Sequence, residues 1–238
     1  MINLKPKARY FLFIAFSFVF CTIFGTLSHE LGHWSAAKLM GFDAEMNYRS
    51  STYDDSQRLD KLYKLYSKKI EAENANEPFL EEEQYQELKE EAEQDDFYIT
   101  LGGPLQTIIF GTFGFLWLIY RRRKRHKERL NLGDYAAIFL SLFWLREVFN
   151  PIVSIGQALY LGGSQYFGGD EYVLAHLLDW PDGSIAIPLG LIGLAISYYV
   201  IYKVIPKSKR STFIDAGLLG GILGYVLWMK VIGSYILP

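Results

Sequence analysis

The sequence predicts an all-α fold: a polytopic membrane protein with about five transmembrane helices and an extramembrane helical insertion. Half of the 238 residues are hydrophobic, and they gather in long blocks instead of recurring singly at the helix or strand spacing of a soluble core. Five blocks reach the roughly 18 residues needed to cross a hydrocarbon layer about 30 Å thick. Charge is segregated between them: residues 42–96 hold 17 Asp and Glu against 7 Lys and Arg, while basic clusters flank other blocks. The formal net charge of -2 conceals this pattern. Cys21 is the lone cysteine, so a disulfide framework or a thiolate zinc site within the chain is excluded. Any metal must rest on histidines and carboxylates.

The whole of 1–238 reads as one membrane domain. Its first block, 10–40, follows Lys5, Lys7 and Arg9 in the manner of a secretory leader. No small-x-small cleavage site follows, and the helical pattern continues to Gly41, so a first membrane span is expected. Region 42–96 is solvated. Within it, 55–73 places Leu59, Leu62, Tyr63, Tyr66 and Ile70 at helical spacing, and Pro78 opens a Glu-rich stretch, which predicts a helical hairpin at the membrane surface. Substrate gating or partner binding is the alternative for this region.

The second block, 97–120, ends in the basic run 121–129. Such a run after an apolar span is a cytoplasmic stop, with lipid-headgroup binding as its alternative; no nucleic-acid partner is expected. The third block, 134–150, gives way to an irregular stretch containing Pro151, Gly162, Gly163, Gly168 and Gly169, then a short helix over 170–178 and a turn at Trp180-Pro181-Asp182-Gly183. Block four, 184–204, precedes Lys207, Lys209 and Arg210, and block five covers 212–237. There Gly217 with Gly221, and Gly220 with Gly224, have the small-xxx-small spacing of helix packing. Alternating spans put every basic cluster on one side: the amino terminus cytoplasmic, the carboxyl terminus and 42–96 extracytoplasmic.

The chemistry concentrates in His29-Glu30-Leu31-Gly32-His33. Residues four apart share a helix face, so His29 and His33 can offer two imidazoles to one zinc ion while Glu30 holds a water beside it. The same side chains could instead be satisfied by neighbouring helices. Unpaired ionisable groups within a span cost several kcal/mol, and a metal site would satisfy all three together. A catalytic zinc usually takes three protein ligands and keeps one position open. His126 lies in the basic run, on the wrong side, and His176 in the 170–178 helix. The carboxylates on the correct side are Glu147, Asp170, Glu171, Asp179 and Asp182. Asp170 is preferred as third ligand because Gly168-Gly169 lets the backbone turn it inward, although a helix N-cap role accounts for it as well. Asp182 is the alternative third ligand, in a Pro-Asp-Gly sequence also common in turns.

These residues resemble the site-2 protease (M50) family of intramembrane zinc metalloproteases, especially its short bacterial members. The resemblance covers most of the membrane part and rests on His29-Glu30-Leu31-Gly32-His33, on Gly102-Gly103-Pro104-Leu105-Gln106-Thr107, and on an Asp downstream of Asn150-Pro151. It implies a three-helix core, Zn2+ held by His29, His33 and Asp170, Glu30 as the catalytic base, and hydrolysis of transmembrane or membrane-proximal peptides at the bilayer. A bacterial cytoplasmic membrane is the setting it implies. The chain has Thr107 where the family often has Asn after Gly-x-x-x, and it lacks Leu-Asp-Gly around the Asp ligand.

Gln106 or Thr107 could share the charge of an oxyanion, and apolar packing of that segment is the alternative. The site needs water, so a polar cavity lined by the irregular 150–170 segment is expected. Arg146 would line it or reach for the interface. The rival function is a family member that binds zinc or a client helix as adaptor or transporter without cleaving it. Glu30 between the two histidines argues for hydrolysis.

Overall fold

The computed structural model describes residues 5–124, 130–162 and 166–238; Gly163, His126 and most of the basic run 121–129 fall outside them. It is almost entirely helical, and five helices are long and apolar enough to span a membrane. The chain is a membrane protein by that measure, as the apolar blocks predict.

α1 (Pro6–Leu39) starts with proline at its first position and closes at Met40 before Gly41, whose φ of 91° only glycine adopts without strain. A β-hairpin follows, which the sequence reading did not anticipate: β1 (Ala44–Met46) pairs antiparallel with β2 (Ser51–Tyr53). Asn47 turns it, its side-chain oxygen accepting from the amides of Arg49 and Ser50. Trp34 of α1 donates to the Ala44 carbonyl at 3.0 Å and Ser51 to the Glu30 carbonyl at 2.7 Å, which fastens the hairpin to the helix carrying the His-Glu motif.

α2 (Ser56–Ala75) and α3 (Glu82–Lys124) form the expected helical hairpin. The acidic stretch and the second span are one continuous helix, which also runs through Pro104. α2 does not bury the stripe its spacing suggests. Leu65 is buried while Tyr63 is 73% exposed; Tyr66 meets Tyr85 of α3, and ion pairs of Arg58 with Asp95, Lys68 with Glu81 and Lys69 with Glu82 cross the hairpin.

The third span begins at α4 (Leu132–Ser141), with a capping box between Asn131 and Asp134. It tightens into a 3-10 turn over Leu142–Trp144 and continues as α5 (Leu145–Leu161). The irregular stretch expected from residue 150 is therefore corrected, as the chain is helical to Leu161. Pro151 cannot bond the Glu147 carbonyl; α7 packs there, close enough that a Cβ on Gly190 would lie 3.3 Å from that oxygen. α6 (Asp170–Leu177) and the turn at 180–183 follow the sequence reading. α7 (Ala186–Tyr199) runs into a π-helical turn at Val200–Val204. α8 (Arg210–Val226) runs into another at Leu227–Ile232, before α9 (Gly233–Ile236).

Lipid offers no hydrophobic gain for helix association, so close packing at small residues carries it. A Cβ on Gly220 would stand 2.3 Å from the Ala15 carbonyl, and Gly217 and Gly224 likewise meet α1, whereas Gly221 faces open space. The larger core joins Ile14, Leu118, Ile138, Val200 and Phe213. At one end the starts of α1, α4 and α8 meet: Lys209 sits 4.7 Å over the Tyr10 ring, which packs on Tyr135, and Arg121 pairs with Asp134. The β-hairpin lies at the other end, where Trp228 donates to the Tyr48 carbonyl and Tyr48 to Leu237.

Candidate metal centre

His29 and His33 lie one helical turn apart on α1, facing α3. The two helices touch at glycines: a Cβ on Gly32 would lie 2.3 Å from the Gly102 carbonyl oxygen, and one on Gly102 would lie 2.5 Å from that of Gly32. This approach brings a stripe of α3 at every fourth residue against the histidines. The Ile99 carbonyl accepts from His33 Nδ1 at 2.8 Å, and the Thr107 hydroxyl lies 3.1 Å from His29 Nδ1. Between them Gly103 leaves the space that the rings fill, since a Cβ there would be 2.3 Å from His33 Nε2 and 2.6 Å from His29 Nε2.

These partners fix the tautomers. The Thr107 hydroxyl donates to the Gly103 carbonyl at 3.3 Å, leaving its oxygen to accept the His29 Nδ1 proton, while the Ile99 carbonyl can only accept. Both Nε2 atoms therefore present lone pairs, an arrangement characteristic of metal-binding histidines. They are 3.2 Å apart. Asp170, at the first turn of α6, brings Oδ2 to 2.7 Å from His29 Nε2 and 3.3 Å from His33 Nε2. Asp170 makes no N-cap bond; Gly169 occupies the cap, at φ 79°. Bonds of about 2.05 Å from zinc to nitrogen or oxygen place tetrahedral ligands about 3.3 Å apart; the separations of 3.2 and 3.3 Å match that spacing, while the 2.7 Å between His29 Nε2 and Asp170 Oδ2 is shorter and would open on binding. A proton on one imidazole or a metal ion would satisfy three electron-rich atoms this close, and two imidazoles with a carboxylate are a donor set that fits a zinc ion. His29, His33 and Asp170 form the sole group of three such donors among the described residues.

Glu30 is buried and lines the same cavity as the three donors, a space of about 1050 Å³ bounded by α1, α5, α8 and the β-hairpin. Asn150, Ser154, Gly168 and Gly169 contribute to its wall, as expected of the 150–170 segment. Most of the lining is apolar, which corrects the expectation of a polar cavity. Tyr53 also lines it and donates to Asp96; burial and that carboxylate raise the phenol above its ordinary range, so it stays a neutral donor.

The other candidates are placed as follows. Asp182 is exposed in the turn before α7 and does not join the cluster; Asp179 is exposed as well. His176 stacks on Tyr172, with ring centroids 6.2 Å apart, on the exposed side of α6. Gln106 packs beside Gly32 outside the cavity, its amide nitrogen and oxygen buried without a hydrogen-bond partner among the described residues. Thr107 reaches the cavity, but its hydroxyl serves His29. Glu147 and Glu171 are each 1% exposed. Glu171 accepts from the Asn150 amide at 3.3 Å, which ties α6, and with it Asp170, to α5. That anchoring role was not foreseen, although Asn150 was among the residues singled out.

Comparison with protein-family models, with curated proteins and with solved structures finds no match to the chain. Fold and site together define a polytopic, almost entirely helical membrane protein whose first span, together with α6, carries a His-His-Asp cluster suited to a metal ion.

Proposed function

We propose that the protein is an intramembrane zinc-dependent endopeptidase, similar to the site-2 protease (M50) family. The observation that carries this reading is the convergence of His29 Nε2, His33 Nε2 and Asp170 Oδ2, with the glutamate next to His29 opening on the same cavity. A structural ion would not need that glutamate. In this reading His29, His33 and Asp170 hold the zinc, which when bound acidifies a water and polarises a peptide carbonyl.

Glu30 takes the proton of the attacking water and returns it to the departing amine, the work of a general base and then a general acid. Thr107 and Ile99 hold the imidazoles so that both Nε2 atoms stay aimed at the ion. The apolar walls receive the residues flanking the scissile bond, and the substrates are peptides in or beside the bilayer. With the basic ends of α1, α3 and α8 cytoplasmic by the positive-inside rule, the β-hairpin and the acidic hairpin are extracytoplasmic; a bacterial cytoplasmic membrane is the setting in the short family members.

The test is a panel of single-span peptides offered to the zinc-loaded protein and to Glu30→Gln. Cleavage by the first and not by the second, at equal zinc content, supports hydrolysis. Zinc binding with no cleavage of any peptide, together with full biological activity of Glu30→Gln, identifies a binding protein instead.

A further inference from the structure

Arg146 lines the cavity, and its Nε is buried without a hydrogen-bond partner among the described residues. Neither of the two acids that share the lining, Glu30 and Asp170, forms an ion pair with it. Its neighbour Glu147 does not line the cavity. A guanidinium within a membrane span costs several kcal/mol unless it is paired. Glu30 and Glu147 feel its charge without bonding to it, so the hydrogen-bond partner that Nε lacks is expected to arrive with whatever fills the cavity.

The charge of the lining points the same way. Glu30 and Asp170 offset Arg49 and Arg146, so a divalent ion on the histidines leaves the cavity with an excess of two positive charges. Arg49 is exposed at the hairpin and stacks over the Tyr48 ring, which leaves Arg146 as the inner cation. Asn150, one turn along α5, stands on the same face with its amide toward Glu171. The other lining residues on this part of α5, Leu145, Val148, Phe149 and Ile152, are apolar.

We propose that Arg146 is a specificity-determining residue that receives a carboxylate of the bound peptide, while the apolar walls hold its hydrocarbon side chains. The proposal rests on the peptidase reading for the nature of the ligand. An arginine matches a carboxylate with two parallel N–H donors, which lysine cannot reproduce. The carboxylate is either the peptide's carboxyl terminus or an internal Asp or Glu.

Binding is measured on the full-length, zinc-loaded Glu30→Gln protein in detergent, so that hydrolysis does not enter. The probes are three fluorescent Leu- and Ala-rich peptides: one with a free carboxyl terminus, the same peptide amidated, and the amidated peptide with one internal Glu. At least one acidic peptide is expected to bind roughly tenfold or more tighter than the neutral one. That preference is expected to vanish in Arg146→Gln and to survive only in part in Arg146→Lys. Which acidic peptide is favoured identifies the source of the carboxylate.

Equal binding of all three peptides overturns the proposal without any variant, and so does a preference that persists in Arg146→Gln. Discrimination without cleavage by the wild type would retain the carboxylate site and remove the peptidase reading. Cleavage without discrimination would do the reverse.

Discussion

Nε2 of His29 and Oδ2 of Asp170 stand 2.7 Å apart, although 141 residues separate them in the chain. Packing of α3 against both α1 and α6 brings them together. The Gly32 and Gly102 contact sets the distance of α1 from α3, and the Asn150 to Glu171 hydrogen bond ties α6 to α5. Asp170 is expected to contribute to metal affinity as a ligand does. Asp170→Ala is predicted to weaken zinc by at least about tenfold in a competition titration with a chelator, since a charged ligand is lost. Asp182→Ala, at the exposed turn, is predicted to bind as the wild type does.

Thr107 is predicted to act through His29. Thr107→Val keeps the size of the side chain and all three donors but removes the acceptor for Nδ1, so zinc affinity falls by roughly 10- to 100-fold. Thr107→Ser should restore most of it. If the hydroxyl served an oxyanion instead, the valine variant would bind zinc normally and lose only turnover.

Gly103 is the floor beneath the two imidazoles. Gly103→Ala would drive a methyl into both rings, and it is predicted to abolish stoichiometric zinc binding while the protein still extracts and runs as a monodisperse species. Gly32→Ala presses on the backbone of α3 instead, and it is predicted to lower thermal stability by the equivalent of about 1–3 kcal/mol, the usual cost of overpacking. Gly221→Ala meets nothing within 4 Å and is the control.

Much of this was legible in the sequence, because the signals concerned are strong ones. Five spans follow from hydropathy alone, and His29 with His33 at a spacing of four needs only helical geometry to become a pair. Asp170 was favoured over Asp182 through the glycines before it, and the structure brings Asp170 to the histidines. The parts that were missed depend on long-range contacts. Strands of three residues at 44–46 and 51–53 carry too little alternation to read, and they are held by Trp34 and Ser51 bonding across to α1. Pro151 reads as a breaker, yet α5 passes through it, with α7 packed on the carbonyl that Pro151 leaves free. The stripe at Leu59, Tyr63, Tyr66 and Ile70 has helical spacing, but Leu65 is the buried residue of α2, and ion pairs cross the hairpin beside the contact of Tyr66 with Tyr85. The spacing of Thr107 from Gly103 is visible in the sequence, and the His29 ring that its hydroxyl meets is not.

The acidic hairpin makes a separate prediction. Arg58 Nη1 donates to Asp95 at 2.5 Å and Nε to Asp55 at 2.8 Å, which raises the guanidinium further above its ordinary range against the opposing effect of burial. Arg58→Ala is expected to loosen α2 from α3 by about 1–3 kcal/mol. Hydrogen exchange should quicken across α2 while the amides of the membrane part of α3 stay protected.

The central claim is that this cluster holds zinc for hydrolysis, and the most direct measurement is the metal content of the purified full-length protein by elemental analysis. About one zinc per chain is expected in the wild type and in Glu30→Gln, and far less in His33→Ala. Wild-type protein that takes up no zinc when the ion is supplied at micromolar concentration would contradict the account.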